Sequence, residues 1–131
     1  MRAFRAAERM LGVRFRLQGR DAARGLDCVG LIWAAYQAAG VLLIAPRHYP
    51  LRGWCGARVI EALDHSGLVR ADDMPIKIGD VAMVVGEAGQ FHLGMMGVGQ
   101  VIHAHAGLRH VVAAPLDEEW CAARRWRLPA A

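Results

Sequence analysis

Asp27-Cys28-Val29-Gly30-Leu31 closes a polar, glycine-containing segment and opens an uncharged run that suits a buried helix. Asp27 or the residue before it can cap the N-terminus, so we predict a helix from Cys28 to about Ala39 that ends at Gly40. The N–H groups and the dipole at a helix N-terminus favour the thiolate form of a cysteine. The stretch therefore predicts a reactive thiol at the first residue of a buried helix.

Helical patterns flank this segment on both sides. Residues Ala3 to about Leu11 present one apolar face, and Gly12 ends the pattern. A short strand is predicted at Val41–Ile44, and a further helix from about Ala57 to His65. The first half of the chain is thus predicted to be mainly helical.

From Ile78 onward the apolar pattern becomes strand-like, with glycine-containing turns between short runs. Consecutive runs joined by short turns predict an antiparallel meander. Helices first and strands second are typical of an α+β domain, here with the sheet packed on the Cys28 helix. The predicted strands are Asp80–Val85, His92–Met96, Val101–His105 and Arg109–Ala113, with a last one at Trp126–Leu128.

The composition predicts one globular domain spanning residues 1–131. Of the 131 residues, 55% are hydrophobic and 21% charged, which suffices for a single core. The net charge of +4 suits an anionic partner such as a cell-wall polymer, nucleic acid or an acidic membrane surface. A compositional bias toward arginine also explains this charge, because the charges form no long run. Nucleic acid is not an expected partner, since no basic patch is interleaved with aromatic residues.

The cysteines and the N-terminal residues limit which cysteine chemistry and which cellular compartment are expected. The three cysteines form no C-x-x-C pair, so neither a disulfide framework nor a cysteine-rich zinc site is expected. Cys55 and Cys121 are predicted to be small buried residues. The N-terminus lacks the continuous apolar core of a signal peptide, so cytoplasmic synthesis is expected. The uncharged stretch from Cys28 to Ala45 is too short for a membrane span.

Two histidines on the predicted sheet supply partners for the thiol. If His92 begins one strand and His103 lies in the next, a short hairpin places them side by side, with the helix start beside His92. In such a site Cys28 attacks a carbonyl, His92 holds the thiolate as an ion pair and protonates the leaving amine, and His103 orients His92. No cofactor is needed for this chemistry. An alternative is a zinc site, because imidazole and thiolate are zinc ligands; the candidates are Cys28, His92, His103, His105 and His110.

Four short motifs together resemble the NlpC-type cell-wall cysteine peptidases. That family has a D-C-S-G-[LF] nucleophile motif, followed by G-D-[LV], H-V-G-[IM]-Y and [VI]-H-A. The matching segments, in the same order, are Asp27–Leu31, Gly79–Val81, His92–Met96 and Val101–Ala104. The resemblance implies a minimal papain-like α+β fold without a cofactor, in which the catalytic residues are Cys28, His92 and His103.

By the same resemblance, the chain is expected to hydrolyse peptide bonds in peptidoglycan stem peptides. The bond between D-γ-glutamate and a diamino acid is one that the family often cleaves. The segment Gly12–Gly19 and the lack of a signal peptide look like the branch associated with phage tails and gene-transfer particles. The expected site of action is therefore a host cell wall during delivery, with phage-tail-like proteins as partners.

Three differences from the family pattern bear on activity. Val29 stands where the family usually has serine, and Phe15 stands where members often have a tyrosine that helps the oxyanion site. His105 lies two residues after His103 and so on the same strand face, which leaves the third residue open, although the motif favours His103. The alternative function is a catalytically weak or inactive tail, scaffold or wall-binding subunit of the same fold.

Arginines that precede the nucleophile are candidates for substrate binding. Guanidinium groups bind carboxylates through paired hydrogen bonds. Arg16, Arg20 and Arg24 are near enough to Cys28 in sequence to meet stem-peptide carboxylates. We therefore expect them beside a substrate groove that runs between the Cys28 helix start and the His92 strand.

Overall fold

The computed structural model describes residues 2–46, 56–86 and 90–129. It contains four helices in these ranges, of which the first three were predicted. Gly40 and Gly67, which follow the second and third helices, have positive φ angles of 84° and 81°, as expected of glycines that end helices. The helices are α1 (Arg2–Arg9), α2 (Cys28–Ala38), α3 (Ala57–Asp64) and the short α4 (Glu118–Cys121).

The strands form one two-stranded and one six-stranded antiparallel sheet. The small sheet pairs β1 (Arg20–Asp21) with β2 (Gly25–Leu26), directly before α2. The strands of the large sheet are β3 (Val69–Arg70), β4 (Val81–Val85), β5 (Phe91–Met96), β6 (Gln100–His105), β7 (His110–Pro115) and β8 (Arg124–Arg127). Their order in the sheet is β3-β8-β4-β5-β6-β7, so the predicted meander β4 to β7 is confirmed and the last strand pairs with β4.

The two faces of the large sheet carry different apolar clusters. The main core lies between the sheet and the helices α1 and α2, and it includes Met95 and Ile102. A smaller cluster on the other face gathers around Trp120 of α4 and includes Val84 and Val101. Neighbouring residues of a strand point to opposite faces, which accounts for this division. The predicted α+β architecture, with the Cys28 helix packed on an antiparallel sheet, is confirmed.

Two predictions about the middle and the end of the chain are wrong. Residues 41–46 form no strand, although a short one was predicted at Val41–Ile44. The backbone of Ile44 bonds side chains instead, since its carbonyl accepts from Trp33 Nε1 at 3.0 Å and its N–H donates to Ser66 Oγ at 2.8 Å. Cys121 is exposed rather than buried, because it ends the surface helix α4. Cys55 lies outside the described residues.

A buried carboxylate joins the first strand of the meander to the last strand of the sheet. Asp80, just before β4, is 1% exposed and accepts hydrogen bonds from Arg125 and Arg127 of β8 at 2.8–3.0 Å. It also accepts from the backbone N–H of Lys77 at 3.0 Å. Because Arg125 is itself only 3% exposed, both charges are paired away from water. The G-D-V motif therefore anchors β8 beside β4.

We predict that Asp80→Asn strongly destabilises the fold. The substitution keeps the size of the side chain but leaves the buried Arg125 guanidinium without its counter-charge, which typically costs about 3–5 kcal/mol. The free energy of unfolding in urea measures the loss. Asp73→Asn, at an exposed position, is the matched control and should change it by less than about 0.5 kcal/mol. Equal effects of the two variants would contradict a structural role for the Asp80 pair.

Candidate active site

The start of α2 is fixed by the fully buried carboxylate of Asp27. As the N-cap residue, Asp27 accepts from the Gly30 N–H at 2.7 Å. The same carboxylate accepts from the backbone N–H of Gln18 at 3.0 Å and from the guanidinium of Arg20 at 3.1 Å. One side chain thus caps the helix and ties it to the β1–β2 hairpin, which places Cys28 relative to both.

Gly30 allows the helix to lie directly on the hairpin backbone. A Cβ atom at Gly30 would collide with the carbonyl oxygen of Gly19, so a larger residue would push the helix start away. Val29, between the nucleophile and Gly30, is fully buried in the main core. In the D-C-x-G pattern, Asp27 therefore caps the helix, Gly30 permits the close approach of the two backbones, and Val29 at the third position packs in the apolar core.

Cys28 and His92 line the same small cavity at the end of the sheet, where β5 begins and β6 ends. Cys28 is only 3% exposed and His92 is half-buried. The backbone N–H of Leu93, the residue after His92, is close enough to Cys28 to lower the pKa of its thiol, against the larger effect of burial. The structure thus brings the predicted nucleophile and its predicted base together. The cavity is lined by Phe15, Cys28, Gln90, Phe91, His92, Ala104 and Ala106.

His103 lies on the Trp120 face of the sheet, next to His105. Its ring centroid is 5.5 Å from that of Trp120 and 5.6 Å from that of His105. The β5–β6 register pairs Met95 with Ile102; extended along the strands, it puts Gly94 opposite His103 and His92 opposite His105. His92 and His103 are therefore diagonal neighbours on adjacent strands.

Gly94 makes room for this arrangement. A Cβ atom at Gly94 would approach the Trp120 ring to 3.0 Å and would collide with the side chain of Val101. The glycine of the H-x-G motif thus lets α4 cover the sheet beside the histidines. Within the described part of the chain, the Nδ1 atom of His103 is buried and has no hydrogen-bond partner. His105 differs, since its Nδ1 accepts from the Leu108 N–H at 2.9 Å.

Burial keeps the thiol and both imidazoles neutral in the free site. Burial, and then the neighbouring Asp27 carboxylate, raise the pKa of Cys28 to about 12. Burial and the charge of His105 lower the pKa of His92. Burial, then His105 and His92, lower the pKa of His103 to about 4. The prediction of a thiolate preformed by the helix terminus is therefore wrong: burial and Asp27 outweigh the helix N-terminus.

Four other residues singled out in the sequence also have a definite place in the structure. Phe15, the counterpart of the family tyrosine, lines the Cys28 cavity. Arg20 bonds Asp27, whereas Arg16 and Arg24 are exposed around the hairpin, and substrate binding by them stays a prediction.

Sequence reasoning missed Gln90 and Trp120 as neighbours of the site. Gln90 directly precedes β5 and lines the cavity of the thiol. Trp120 follows Asp117, which caps α4 by accepting from the Trp120 N–H at 2.9 Å. Only that capping aspartate marks α4 in the sequence, because a helix of four residues is too short to show a periodic pattern.

The structure gives no support to the zinc alternative within its described ranges. Among residues 2–46, 56–86 and 90–129, no three His, Cys, Asp or Glu side chains are grouped closely enough to hold a metal ion. Nor does any helix in these ranges have the length and apolar character needed to cross a membrane.

The profile of the NlpC/P60 family matches residues 12–128. A search of curated proteins gives no significant match. Among solved structures, the NlpC/p60 domain of the peptidoglycan hydrolase SagA is 22% identical with a TM-score of 0.64, and the match covers 96% of this chain and 95% of that one. These likenesses confirm the expected minimal papain-like α+β fold.

Two further structures are similar over part of their length. NlpC1 from Trichomonas vaginalis is 21% identical with a TM-score of 0.71, and the match covers 97% of this chain but 42% of that protein. The peptidoglycan hydrolase RipB from Mycobacterium tuberculosis is 20% identical with a TM-score of 0.66, and the match covers 99% of this chain and 64% of that one. At such identities the likeness establishes the fold.

We predict that Cys28 in the free protein reacts with iodoacetamide slowly at pH 7 and that its rate rises only in alkaline solution. A thiol with a pKa of about 12 is protonated at neutral pH, and only the thiolate is alkylated. Peptide mass mapping across pH 5–10 follows Cys28, with the exposed Cys121 as internal control. A rate plateau that extends below pH 7 would instead indicate a preformed thiolate–imidazolium pair.

Proposed function

Because the chain belongs to the NlpC/P60 family, we propose that it is a cysteine peptidase that hydrolyses peptide bonds of peptidoglycan stem peptides. Family membership supports a cell-wall peptidase, since SagA and RipB are peptidoglycan hydrolases. The observation that carries the proposal is the shared cavity of Cys28, at the start of α2, and His92, at the start of β5. A nucleophile and a base side by side at a helix start suit acyl transfer.

In the proposed reaction His92 acts as a general base. It takes the Cys28 proton as the sulfur bonds to the substrate carbonyl carbon, because the resting thiol is protonated. Backbone N–H groups at the start of α2 stabilise the oxyanion. His92 then gives its proton to the leaving amine, which breaks the peptide bond and leaves a thioester. Water, activated by His92, hydrolyses the thioester and restores the thiol.

The third residue in this proposal is His103. When His92 holds a proton, it needs an acceptor for its second N–H group. The buried Nδ1 atom of His103 lacks a partner among the described residues, so it is available to accept. The lowered pKa of His103 keeps the ring neutral at neutral pH, and a neutral imidazole has one nitrogen that can accept. His105 is the competing candidate, since its charge acts on His92.

We also propose that the bond cleaved joins D-γ-glutamate to a diamino acid and that the enzyme acts on a host wall from a phage tail or gene-transfer particle. The support for the bond is the motif resemblance. The support for the particle is the similarity of Gly12–Gly19 to that branch of the family.

A wall-binding or scaffold subunit is the second candidate function. The observation that favours it is the state of the thiol, since Cys28 is buried and its pKa is about 12. Phe15 adds to this, because it brings no hydroxyl group to the Cys28 cavity.

We predict that the wild type releases new amine and carboxyl ends from purified peptidoglycan and from defined stem peptides, whereas Cys28→Ala does not. Mass spectrometry of the products identifies the bond. Cys121→Ala, which removes the exposed thiol, is the matched control and should retain full activity. Wall binding without cleavage by the wild type would favour the scaffold function instead.

We predict that His103→Ala lowers kcat about 100-fold and that His103→Asn recovers part of the loss. An asparagine oxygen can accept the His92 N–H, whereas alanine cannot. His105→Ala is the matched comparison and should lower kcat less than about fivefold, because that ring is bonded to the Leu108 backbone. Steady-state kinetics on a defined stem peptide measures both. The reverse order of losses would make His105 the third residue.

A further inference from the structure

A second cavity, which we name the distal cavity, lies at the end of the sheet opposite to Cys28. It has a volume of about 600 Å³ and lies between the C-terminal end of α2, the residues before β4 and the residues after β8. Tyr36 is eight residues after Cys28 in α2, which separates the two by about 12 Å along the helix. The distal cavity is therefore separate from the site of the thiol. Its walls include Arg2, Tyr36, Val69, Met74, Lys77 and Arg127.

Exposed apolar side chains are gathered around the distal cavity. Val69 is 39% exposed, Met74 47% and Leu128 44%, and all three line it. Tyr36 also lines it, and the Tyr36 hydroxyl group donates to the Gly79 carbonyl at 2.8 Å. That hydroxyl group is neutral, because burial and then the charge of Asp80 raise its pKa. A ligand with an apolar body would remove this apolar surface from water, and the volume is typical of small-molecule sites.

The distal cavity has an excess of positive charge. Arg2, Lys77 and Arg127 line it, and Asp80 is the one acidic residue among its described walls. The Asp80 carboxylate is already shared by Arg125 and Arg127, at 3.0 and 2.8 Å. Arg2 and Lys77 form no salt bridge with any residue that the structure describes. One carboxylate therefore does not neutralise the cavity, and the remaining charge attracts anions.

The Arg127 guanidinium has one nitrogen whose only acceptor is poor. Its Nε and Nη2 atoms donate to Asp80 at 3.0 and 2.8 Å, and Nη2 also donates to the Pro75 carbonyl at 2.7 Å. Among the described residues, its Nη1 atom hydrogen-bonds only the Met74 sulfur, at 3.6 Å. A thioether is a weak acceptor, whereas a carboxylate or phosphate oxygen is a strong one for a guanidinium. Because Arg127 and Met74 both line the distal cavity, an oxyanion there can replace the sulfur.

We propose that the distal cavity binds a small anionic amphiphile, a molecule with one carboxylate or phosphate group on an apolar body. The anionic group bonds Nη1 of Arg127 and is attracted by Arg2 and Lys77, while the apolar body covers Val69 and Leu128. The same charges repel a cationic ligand, and an uncharged ligand gains no charge-assisted hydrogen bond. The inference goes beyond the proposed peptidase and does not depend on it, since the distal cavity is remote from the thiol.

The test uses octanoate as the probe, with octanol and octylamine as probes of the same chain length that lack a negative charge. Each probe is titrated into the isotope-labelled wild type, and the backbone amide shifts are followed by NMR. The amides of Lys77, Gly79 and Leu128 report on the distal cavity. Those of Phe91 and Ala104 report on the Cys28 cavity.

Two double variants of equal charge test the role of the cations. Arg2→Gln with Lys77→Gln removes two charges from the distal cavity and spares Asp80, because Lys77 bonds that carboxylate through its backbone N–H. Arg5→Gln with Arg9→Gln is the matched control, because it removes two exposed charges of α1 that do not line the cavity.

A second pair of variants tests the volume of the cavity. Ala39→Phe adds a ring at a residue that lines the distal cavity. Ala38→Phe adds the same ring at the exposed neighbouring residue, which does not line it. Thermal unfolding verifies that each variant is folded. If Ala39→Phe does not fold, the two charge variants decide the question by themselves.

We expect octanoate to bind with a Kd of about 1 mM or tighter and about tenfold more tightly than octanol or octylamine. The largest shifts should be those of Lys77, Gly79 and Leu128. The Arg2 and Lys77 variant should bind octanoate about tenfold more weakly and octanol within about twofold of the wild type, as two exposed charge contacts imply. Ala39→Phe should abolish binding, whereas both control variants should bind octanoate within about twofold of the wild type.

Equal affinities for octanoate and octanol would overturn the inference, since the cavity would then recognise no anion. Equal weakening by the two charge variants would overturn it too, because net charge alone would explain binding. Largest shifts at Phe91 and Ala104, or unchanged binding by folded Ala39→Phe, would place the ligand elsewhere. Sedimentation of the protein with phosphatidylglycerol vesicles, without binding of free octanoate, would make this surface a membrane contact instead of a small-molecule site.

Discussion

The buried carboxylate of Asp27 holds the start of α2 against the β1–β2 hairpin. It accepts hydrogen bonds from the helix, from the backbone before β1 and from the side chain of Arg20. Gly30 and Gly19 let the two backbones meet without an intervening side chain. The position of Cys28 beside His92 depends on this contact, because the hairpin also leads through Leu26 and Phe15 to the edge of the same cavity.

The same carboxylate opposes the chemistry that it positions. Burial raises the pKa of Cys28 and Asp27 raises it further, while burial lowers the pKa of His92. Both shifts keep the proton on sulfur in the free protein. In the proposed reaction the thiol is therefore activated when substrate arrives, because the proton moves to His92 as the sulfur attacks. Asp27 thus contributes both to the rigid placement of Cys28 and, less than burial does, to the neutral resting state of the thiol.

The periodic spacing of apolar residues was sufficient to predict helices of several turns and strands of several residues. The helix from Cys28 and the strands β4 to β7 were predicted within a few residues, because apolar spacing defines both. Two-residue strands such as β1 and β3 show no period, so they were missed. The strand predicted at Val41–Ile44 failed because Trp33 and Ser66 satisfy the Ile44 backbone in place of a neighbouring strand. Whether His92 lies opposite His103 or diagonal to it depends on the hairpin register, which apolar spacing does not specify.

The sequence was least informative about which arginines form ion pairs within the protein, because the net charge does not identify the side chains that are neutralised. Arg125 and Arg127 share the buried Asp80, and Arg20 is held by Asp27, so these three arginines stabilise the fold. Their spacing along the chain does not distinguish them from the exposed Arg14 and Arg16. Folding thus divides one residue type into two groups: arginines whose charge is paired internally fix the sheet and the helix start, whereas exposed arginines that form no salt bridge within the described residues present their charge to solvent.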